Sequence, residues 1–187
     1  MLMANLSRQL RGDLAWDIAG ADGVWHVTVR HPTDVEVADV LALLIADHHS
    51  INGLLVRALG LLKKGDAATA VPLLRAFITA LERHVAFEDG ELAEILGVGQ
   101  AQPSAVMLRE HREISQQLAR VKKLVAQGQL DAAELAVHCG ALSDTLAKHE
   151  YREEHNLFPQ WRAALQGRDQ AAQADLLRRA KRALAMS

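Results

Sequence analysis

The chain lacks the features of disulfide-stabilised and membrane-spanning proteins. Its single cysteine, Cys139, excludes an internal disulfide framework and suits a reducing compartment. No apolar run approaches the roughly 20 residues that a membrane span needs. Residues 1–16 contain no apolar core followed by a cleavage site, so no signal peptide is predicted. We therefore expect a cytoplasmic protein without a membrane partner.

Proline and aromatic residues are also scarce, and the net charge is close to zero. Four prolines, 4% aromatic residues and an apolar half rich in leucine and alanine are typical of a helical protein. A formal net charge of −2 gives no bulk attraction to nucleic acid, which we do not expect as a partner. At 187 residues the chain is long enough for one domain with a substantial core.

Two terminal segments differ from the remainder of the chain. In residues 1–34, two short runs alternate apolar with polar or smaller residues around a turn-forming AGADG, which predicts a hairpin or an extended arm. The apolar positions of these runs are Leu14, Trp16, Ile18, Trp25, Val27 and Val29. Residues 167–187 form a basic, alanine-rich stretch, which predicts an amphipathic helix or a tail. This apolar arm and amphipathic tail are compatible with a homodimer.

Between these segments, apolar residues recur with the helical period and predict four amphipathic helices. Their expected spans are about 35–64, 66–96, 103–128 and 131–158. Thr33 or Asp34 is the expected cap of the first helix and Asp131 that of the fourth, which should end near Phe158-Pro159. Short turns between such helices predict an all-α, antiparallel up-down-up-down four-helix bundle over residues 35–166.

Histidine is abundant, at nine residues, and four histidines fall on the apolar stripes of the four helices. Two of them are followed by a glutamate four residues later, in an HxxxE pattern. Residues i and i+4 lie on the same helix face, so each pattern can offer an imidazole and a carboxylate to one site. The candidate metal ligands are His48, His84, Glu88, His111, His149 and Glu153.

Distances along the helices place these six residues at one level of the bundle. His48 and His84 lie about equally far from the first turn, and His111 and His149 from the third. Burying four imidazoles and two carboxylates is costly unless cations compensate them. We therefore predict two iron ions joined by an oxo or hydroxo bridge, with both glutamates bridging and two histidines on each ion. Zinc or another divalent metal is a possible substitute.

Other interpretations of these residues are less favoured. A single buried histidine is more often a hydrogen-bonded core residue, but six groups in register make that explanation weak. A ferritin-type site requires Glu-x-x-His, which the sequence does not contain. An HExxH zinc peptidase site is absent as well, because Glu153 stands where the second histidine would be.

Several motifs resemble the hemerythrin-like family, also known as the HHE cation-binding domain. They are DHHSI, the HxxxE of residues 84–88, REHREI and HEYREEHNLFP, and the resemblance extends over about 40–162. It implies a four-helix bundle and a non-haem di-iron centre held by the six candidate residues. The oxygen-carrying members have a histidine where this chain has Ser115, and an aspartate five residues after the fourth-helix histidine. The chain is more similar to bacterial members with four histidines and two glutamates.

Nearby polar residues each have more than one expected role. His49 is the alternative to His48 as a ligand, although it points away from the stripe. Asp47, Glu110 and Asp144 are equivalent candidates for orienting a histidine. Glu154 is expected in a surface ion pair or in contact with a ligand residue.

The leading functional hypothesis is a di-iron protein that binds or reacts with oxygen, nitric oxide or peroxide, in sensing, scavenging or storage. The alternative is an iron donor or iron–sulfur cluster repair protein in nitrosative or oxidative stress. Repair proteins of this kind carry a cysteine-bearing N-terminal domain, whereas residues 1–34 contain no cysteine. The sequence shows no substrate-recognition motif and no catalytic residues, so enzymatic turnover is left open. A metal that only stabilises the bundle is the remaining possibility.

Overall fold

The structure is a computed structural model, and it describes residues 16–21, 24–29, 39–93, 102–127 and 130–185. Its elements are strands β1 (Trp16–Ala21) and β2 (Val24–Val29) and helices α1 (Val40–Leu62), α2 (Ala67–Phe87), α3 (Gln102–Val125), α4 (Ala132–Arg152), α5 (Phe158–Gln166) and α6 (Gln170–Leu184). Two π-helical turns, Glu88–Leu92 and Glu153–Leu157, follow α2 and α4 directly.

β1 and β2 form a two-stranded antiparallel hairpin near the N-terminus. Trp16 pairs with Val29 at the open end and Ala21 with Val24 at the closed end. The alternating runs seen in the sequence coincide with the two strands from Trp16 onward, while Leu14 lies outside the described residues. β1 extends into the AGADG segment.

The first two helices are joined by a tight turn whose chemistry is visible in the sequence. Gly65 adopts a left-handed conformation with φ of 79°, which glycine accepts without strain. Its N–H donates to the Leu62 carbonyl, and the Asp66 N–H donates to that of Leu61, as in a Schellman motif. The Asp66 carboxylate then accepts the Thr69 N–H and caps α2.

Helix boundaries agree with the sequence in part. Asp131 caps α4 by accepting from the Ala133 and Glu134 N–H groups, as predicted. α1 begins after Asp39, whose carboxylate accepts the Ala42 N–H, while the predicted caps Thr33 and Asp34 lie outside the described residues. The predicted end near Phe158-Pro159 is wrong, because the helical path continues through α5. Pro159 lies in the first turn of α5, where a missing N–H needs no partner.

Helices α1 to α4 pack as a bundle, which confirms the helical-bundle fold class. α1 contacts α2 and α4, and α3 contacts α2 and α4, so the four helices enclose one interior. Contacts such as His48 with His84 and His111 with His149 pair residues at similar distances from the intervening turn. The up-down-up-down order remains a prediction, and these are the contacts that it requires.

Two hydrophobic clusters fill the bundle, one near each end. The first extends from Ile51 to Leu62 in α1 and includes facing residues of the other three helices. The second contains Leu44 and Phe87 together with apolar residues of α5 and α6. The polar residues His48 and His84 lie between the two clusters along α1 and α2. A buried polar layer therefore crosses the middle of the bundle, between the two hydrophobic clusters.

α6 packs against α1 and α2 at the second cluster. Its buried residues Leu176, Ala180 and Leu184 recur every four residues and form its apolar stripe. Among the described helices, none combines the length and apolar character needed to cross a bilayer.

Candidate metal centre

All six predicted ligand residues meet in the polar layer between the clusters. The two glutamates and four histidines have between 0% and 3% of their surface exposed. α1 contributes His48, α2 and its π turn contribute His84 and Glu88, and α3 contributes His111. α4 and its π turn contribute His149 and Glu153.

The six residues form two overlapping groups in the described part of the chain. His48 and His84 form one group with both glutamates, and His111 and His149 form the other with the same two. Within each group, one candidate ligand atom from every residue lies within 4.8 Å of the others. The geometry is that of two adjacent sites sharing two carboxylates, with two imidazoles at each.

The histidine pairs approach each other through their Nε2 atoms. His48 Nε2 lies 3.0 Å from His84 Nε2, and His111 Nε2 lies 3.1 Å from His149 Nε2. Two nitrogens bound to one metal at about 2.1 Å and at right angles would be about 3.0 Å apart. The same distance fits an N–H···N hydrogen bond when one ring of the pair is protonated at Nε2. Each pair is therefore suited to hold either a proton or a metal cation.

The glutamate oxygens provide the strongest indication of a missing partner. Both carboxylate oxygens of Glu88 and of Glu153 are buried, and none has a hydrogen-bond partner among the described residues. Their nearest charged neighbours are the Nε2 atoms of the four histidines, at 3.3–3.7 Å. Buried polar atoms in native proteins nearly always have a hydrogen bond, so carboxylate oxygens without one are costly. The donor set of imidazole nitrogen and carboxylate oxygen suits iron and other divalent transition metals. The residues present therefore fit a bound metal.

A carboxylate on another helix contacts the Nδ1 atom of each histidine, on the side of the ring that faces away from the centre. An ionised carboxylate only accepts hydrogen bonds, so every Nδ1 donates and every Nε2 faces the centre. The Nδ1 contacts are His48 to Glu154 at 2.9 Å, His84 to Asp47 at 2.8 Å, His111 to Asp89 at 2.6 Å and His149 to Glu110 at 3.1 Å.

Sequence reasoning anticipated only part of this supporting layer. Asp47 and Glu110 were among three equivalent candidates, and the third, Asp144, is exposed. Glu154 contacts a ligand residue, which is one of its two expected roles. Asp89 was missed, although it follows Glu88 as Glu154 follows Glu153.

That parallel is part of an internal repeat across the two helix pairs. In α1 and α2 the order is Asp47-His48, then His84 and Glu88-Asp89. In α3 and α4 it is an acid-histidine pair, Glu110-His111, and then a histidine, His149, followed by Glu153-Glu154. Within each helix pair, the acid before the first histidine accepts from the second. Between pairs, the acid after each glutamate accepts from the first histidine of the other pair.

Both glutamates begin a π-helical turn. The Ala93 N–H donates to the Glu88 carbonyl and the Phe158 N–H to that of Glu153, each five residues earlier. Single π turns inside α-helices are rare and frequently mark functional sites. Here the same irregularity occurs at equivalent positions in the two halves.

Opposite charges within the cluster stabilise one another and shift the pKa values of its members. Burial alone would lower the pKa of His48, but the carboxylates of Glu153 and Glu154 outweigh it and raise that pKa to about 9. Burial is likewise outweighed at His111, where Asp89 and both glutamates raise the pKa to about 12. The pKa of Glu88 is well below its usual range, because His84 and His111 outweigh the effect of burial. Both glutamates therefore remain ionised at neutral pH.

The remaining described histidines lie outside the centre. His49 and His155 are exposed, and His155 Nδ1 donates to the Tyr151 carbonyl. His138 is half-buried, far along α4 from His149. The structure therefore favours His48 over His49 as the residue facing the interior. Ser115 is exposed and does not extend the cluster.

Buried, shared carboxylates and paired imidazoles inside a helical bundle are typical of the class of metal-binding helical bundles. Residues 97–184 match the family model of the hemerythrin HHE cation binding domain. This part of the chain therefore resembles the hemerythrin family, as its motifs predicted. The matched part includes His111, His149 and Glu153, while the first half supplies the other three through the internal repeat. No curated protein and no solved structure matches the chain.

Proposed function

We propose that this chain binds two iron ions at the six buried residues, with Glu88 and Glu153 shared between them. The four buried carboxylate oxygens without partners carry this proposal. Two cations would satisfy these oxygens and separate the facing Nε2 atoms. Zinc or another divalent metal has the same donor preferences and is expected to substitute when iron is scarce.

The bound pair would serve to bind or react with a small ligand such as oxygen, nitric oxide or peroxide. Two adjacent irons, when bound, would supply redox chemistry for such a ligand. The chain's own contribution is to hold the four imidazoles in one tautomer and to exclude water with Leu44, Ile51 and Phe87 around the layer. The role of such binding would be sensing, scavenging or storage.

Metal content and spectroscopy of protein loaded with ferrous iron without air would test this function. We expect about two irons per chain and, on exposure to oxygen or nitric oxide, new visible absorption from the iron centre. Glu88→Gln removes one shared charge and should reduce the iron content to about one per chain or less. Glu113→Gln, on an exposed face of α3, is the matched control and should load normally. A single tightly bound zinc and no oxygen-dependent spectrum would refute the proposal.

Iron donation, or iron–sulfur cluster repair in nitrosative or oxidative stress, is the alternative role. It requires ready transfer of iron to an acceptor. The burial of all six residues at 3% exposure or less favours retention instead. Slow iron loss from the reduced protein to an external chelator would support ligand binding, whereas loss within the mixing time would favour donation.

A further inference from the structure

A pocket of about 320 Å³ reaches one of the two buried glutamates from the surface. It lies between α3 and the second π turn, and its wall includes Glu153, which is 2% exposed and whose oxygens have no hydrogen-bond partner in the described chain. Val106, Met107 and Leu157 make most of the wall apolar. The pocket therefore borders Glu153 and Glu110, and Glu110 accepts a hydrogen bond from His149 on one side of the centre.

An ion pair lies on the polar side of this pocket. Arg152 donates to Glu110 at 2.7 Å, and the second oxygen of Glu110 accepts from His149 Nδ1. Arg152 is half exposed, whereas Glu110 is buried. The guanidinium thus closes part of the opening and is linked to the centre through one carboxylate.

The equivalent position in the other half of the repeat is filled. Phe87 precedes Glu88 as Arg152 precedes Glu153, and it is 3% exposed. Leu43 and Leu44 occupy the positions of Val106 and Met107, and both are completely buried.

α6 covers this filled side. Leu176, Ala180 and Leu184 belong to the same hydrophobic cluster as Leu44 and Phe87. Arg179 pairs with Glu91 of the first π turn at 3.0 Å. The two halves of the repeat therefore differ at the surface: Phe87 and α6 cover one half, whereas the pocket and the half-exposed Arg152 border the other.

We propose that small uncharged molecules enter the buried polar layer through this pocket, and so reach the His111 and His149 side of the centre first. The statement that this route leads to bound iron rests on the proposed function. Neutral molecules are favoured because the wall is apolar and the polar groups at its base, Glu110 and Glu153, are carboxylates that repel anions. The charge of Arg152 is already compensated by Glu110.

Xenon tests the pocket without any metal, since it occupies apolar cavities. In metal-free protein under xenon pressure, we expect methyl NMR shifts at Met107 and Leu157. The methyl groups of Leu44 and Leu92, at the equivalent positions of the sealed side, should not shift. Val106→Trp should abolish the xenon response. Ala105→Trp adds the same ring one residue away, outside the pocket wall, and should preserve it.

Stopped-flow binding of nitric oxide to iron-loaded protein tests the route. Val106→Trp should slow association by about tenfold or more, with iron content unchanged, while Ala105→Trp should not. If Val106→Trp loses its iron, Asn156→Trp at the exposed edge of the same pocket replaces it as the test variant.

An unchanged rate of nitric oxide association in a fully loaded pocket variant, or xenon shifts at Leu44 and Leu92, would overturn the inference. Failure of the wild type to bind iron would instead overturn the proposed function, and the xenon result would still decide the pocket.

Discussion

Each of the four buried histidines uses its two ring nitrogens differently. Nδ1 donates to a carboxylate on another helix, and Nε2 points into the shared centre. The carboxylate fixes the tautomer and orientation of the ring and increases the basicity of the free nitrogen. Affinity for metal should therefore depend on residues that do not contact it.

Asp89→Asn should weaken metal binding although Asp89 is not a candidate ligand. Asparagine still accepts from His111 Nδ1 but no longer supplies a negative charge, and such losses cost about 10- to 100-fold in affinity. Competition with a chelator of known affinity measures the effect. Glu82→Gln is the control, because Glu82 lies on the exposed face of α2 and pairs there with Lys122 of α3. Equal affinities of the two variants would contradict the role assigned to Asp89.

Cys139 should be nearly inert towards thiol reagents in the folded protein. Burial raises its pKa to about 11, and its surface is fully buried in the first hydrophobic cluster. At about pH 8 less than roughly one thiol in a hundred would be ionised, whereas an unfolded chain has a pKa near 8.5. Colorimetric thiol labelling should be slow without denaturant and complete at once in guanidinium. Rapid labelling of the native protein would show that this cluster opens readily.

At the scale of the elements, the sequence predicts regular helices better than their irregular ends. The stripes of α1 to α4 and the caps at Asp66 and Asp131 follow from apolar spacing and local hydrogen bonding. The two π turns do not, because an HxxxE pattern is the same whether an α or a π turn follows the glutamate. α5 was missed because Pro159 ends many helices but also suits the first turn of one.

The candidate site was predictable to a similar degree. Each of the six residues lies on the apolar stripe of its own helix, and the i, i+4 spacing adds the glutamate to two of the four histidines. Their partners are on other helices, so choosing Asp89 over Asp144 requires the rotation and height of each helix relative to its neighbours. No spacing within a single helix contains that information.

α6 is predicted to stabilise the bundle as well as to cover one side of the centre. Leu176 is 2% exposed within the second cluster, so Leu176→Ala should lower the free energy of unfolding by about 2–5 kcal/mol. Arg182→Ala, on the exposed face of the same helix, should change it by no more than about 0.5 kcal/mol. Urea unfolding followed by circular dichroism compares them. Similar midpoints for both variants would mean that α6 does not share the core.

For the molecule as a whole, the charged layer divides one core into two. Ile51 and Leu81 lie on one side of it, and Leu44 and Phe87 on the other. Without metal, ionised glutamates are compensated by protons on the imidazoles, which is why the pKa of His48 is raised. Metal binding must displace those protons, so metal and proton compete for the same stabilising role.

This competition predicts how pH changes the stabilisation by metal. In the metal-free protein, the pKa of His48 rises from 6.5 to about 9 on folding, so its contribution to stability is complete below about pH 6.5 and is lost as pH rises through about 9. Metal-loaded protein does not depend on that proton and binds metal more tightly as protons become scarce. The difference in Tm between zinc-loaded and metal-free protein should therefore widen from about pH 6.5 to about pH 9. Thermal unfolding at several pH values measures it, with zinc chosen because it has no redox chemistry. A difference that stays constant or narrows with rising pH would show that protonated imidazoles do not stabilise the metal-free layer.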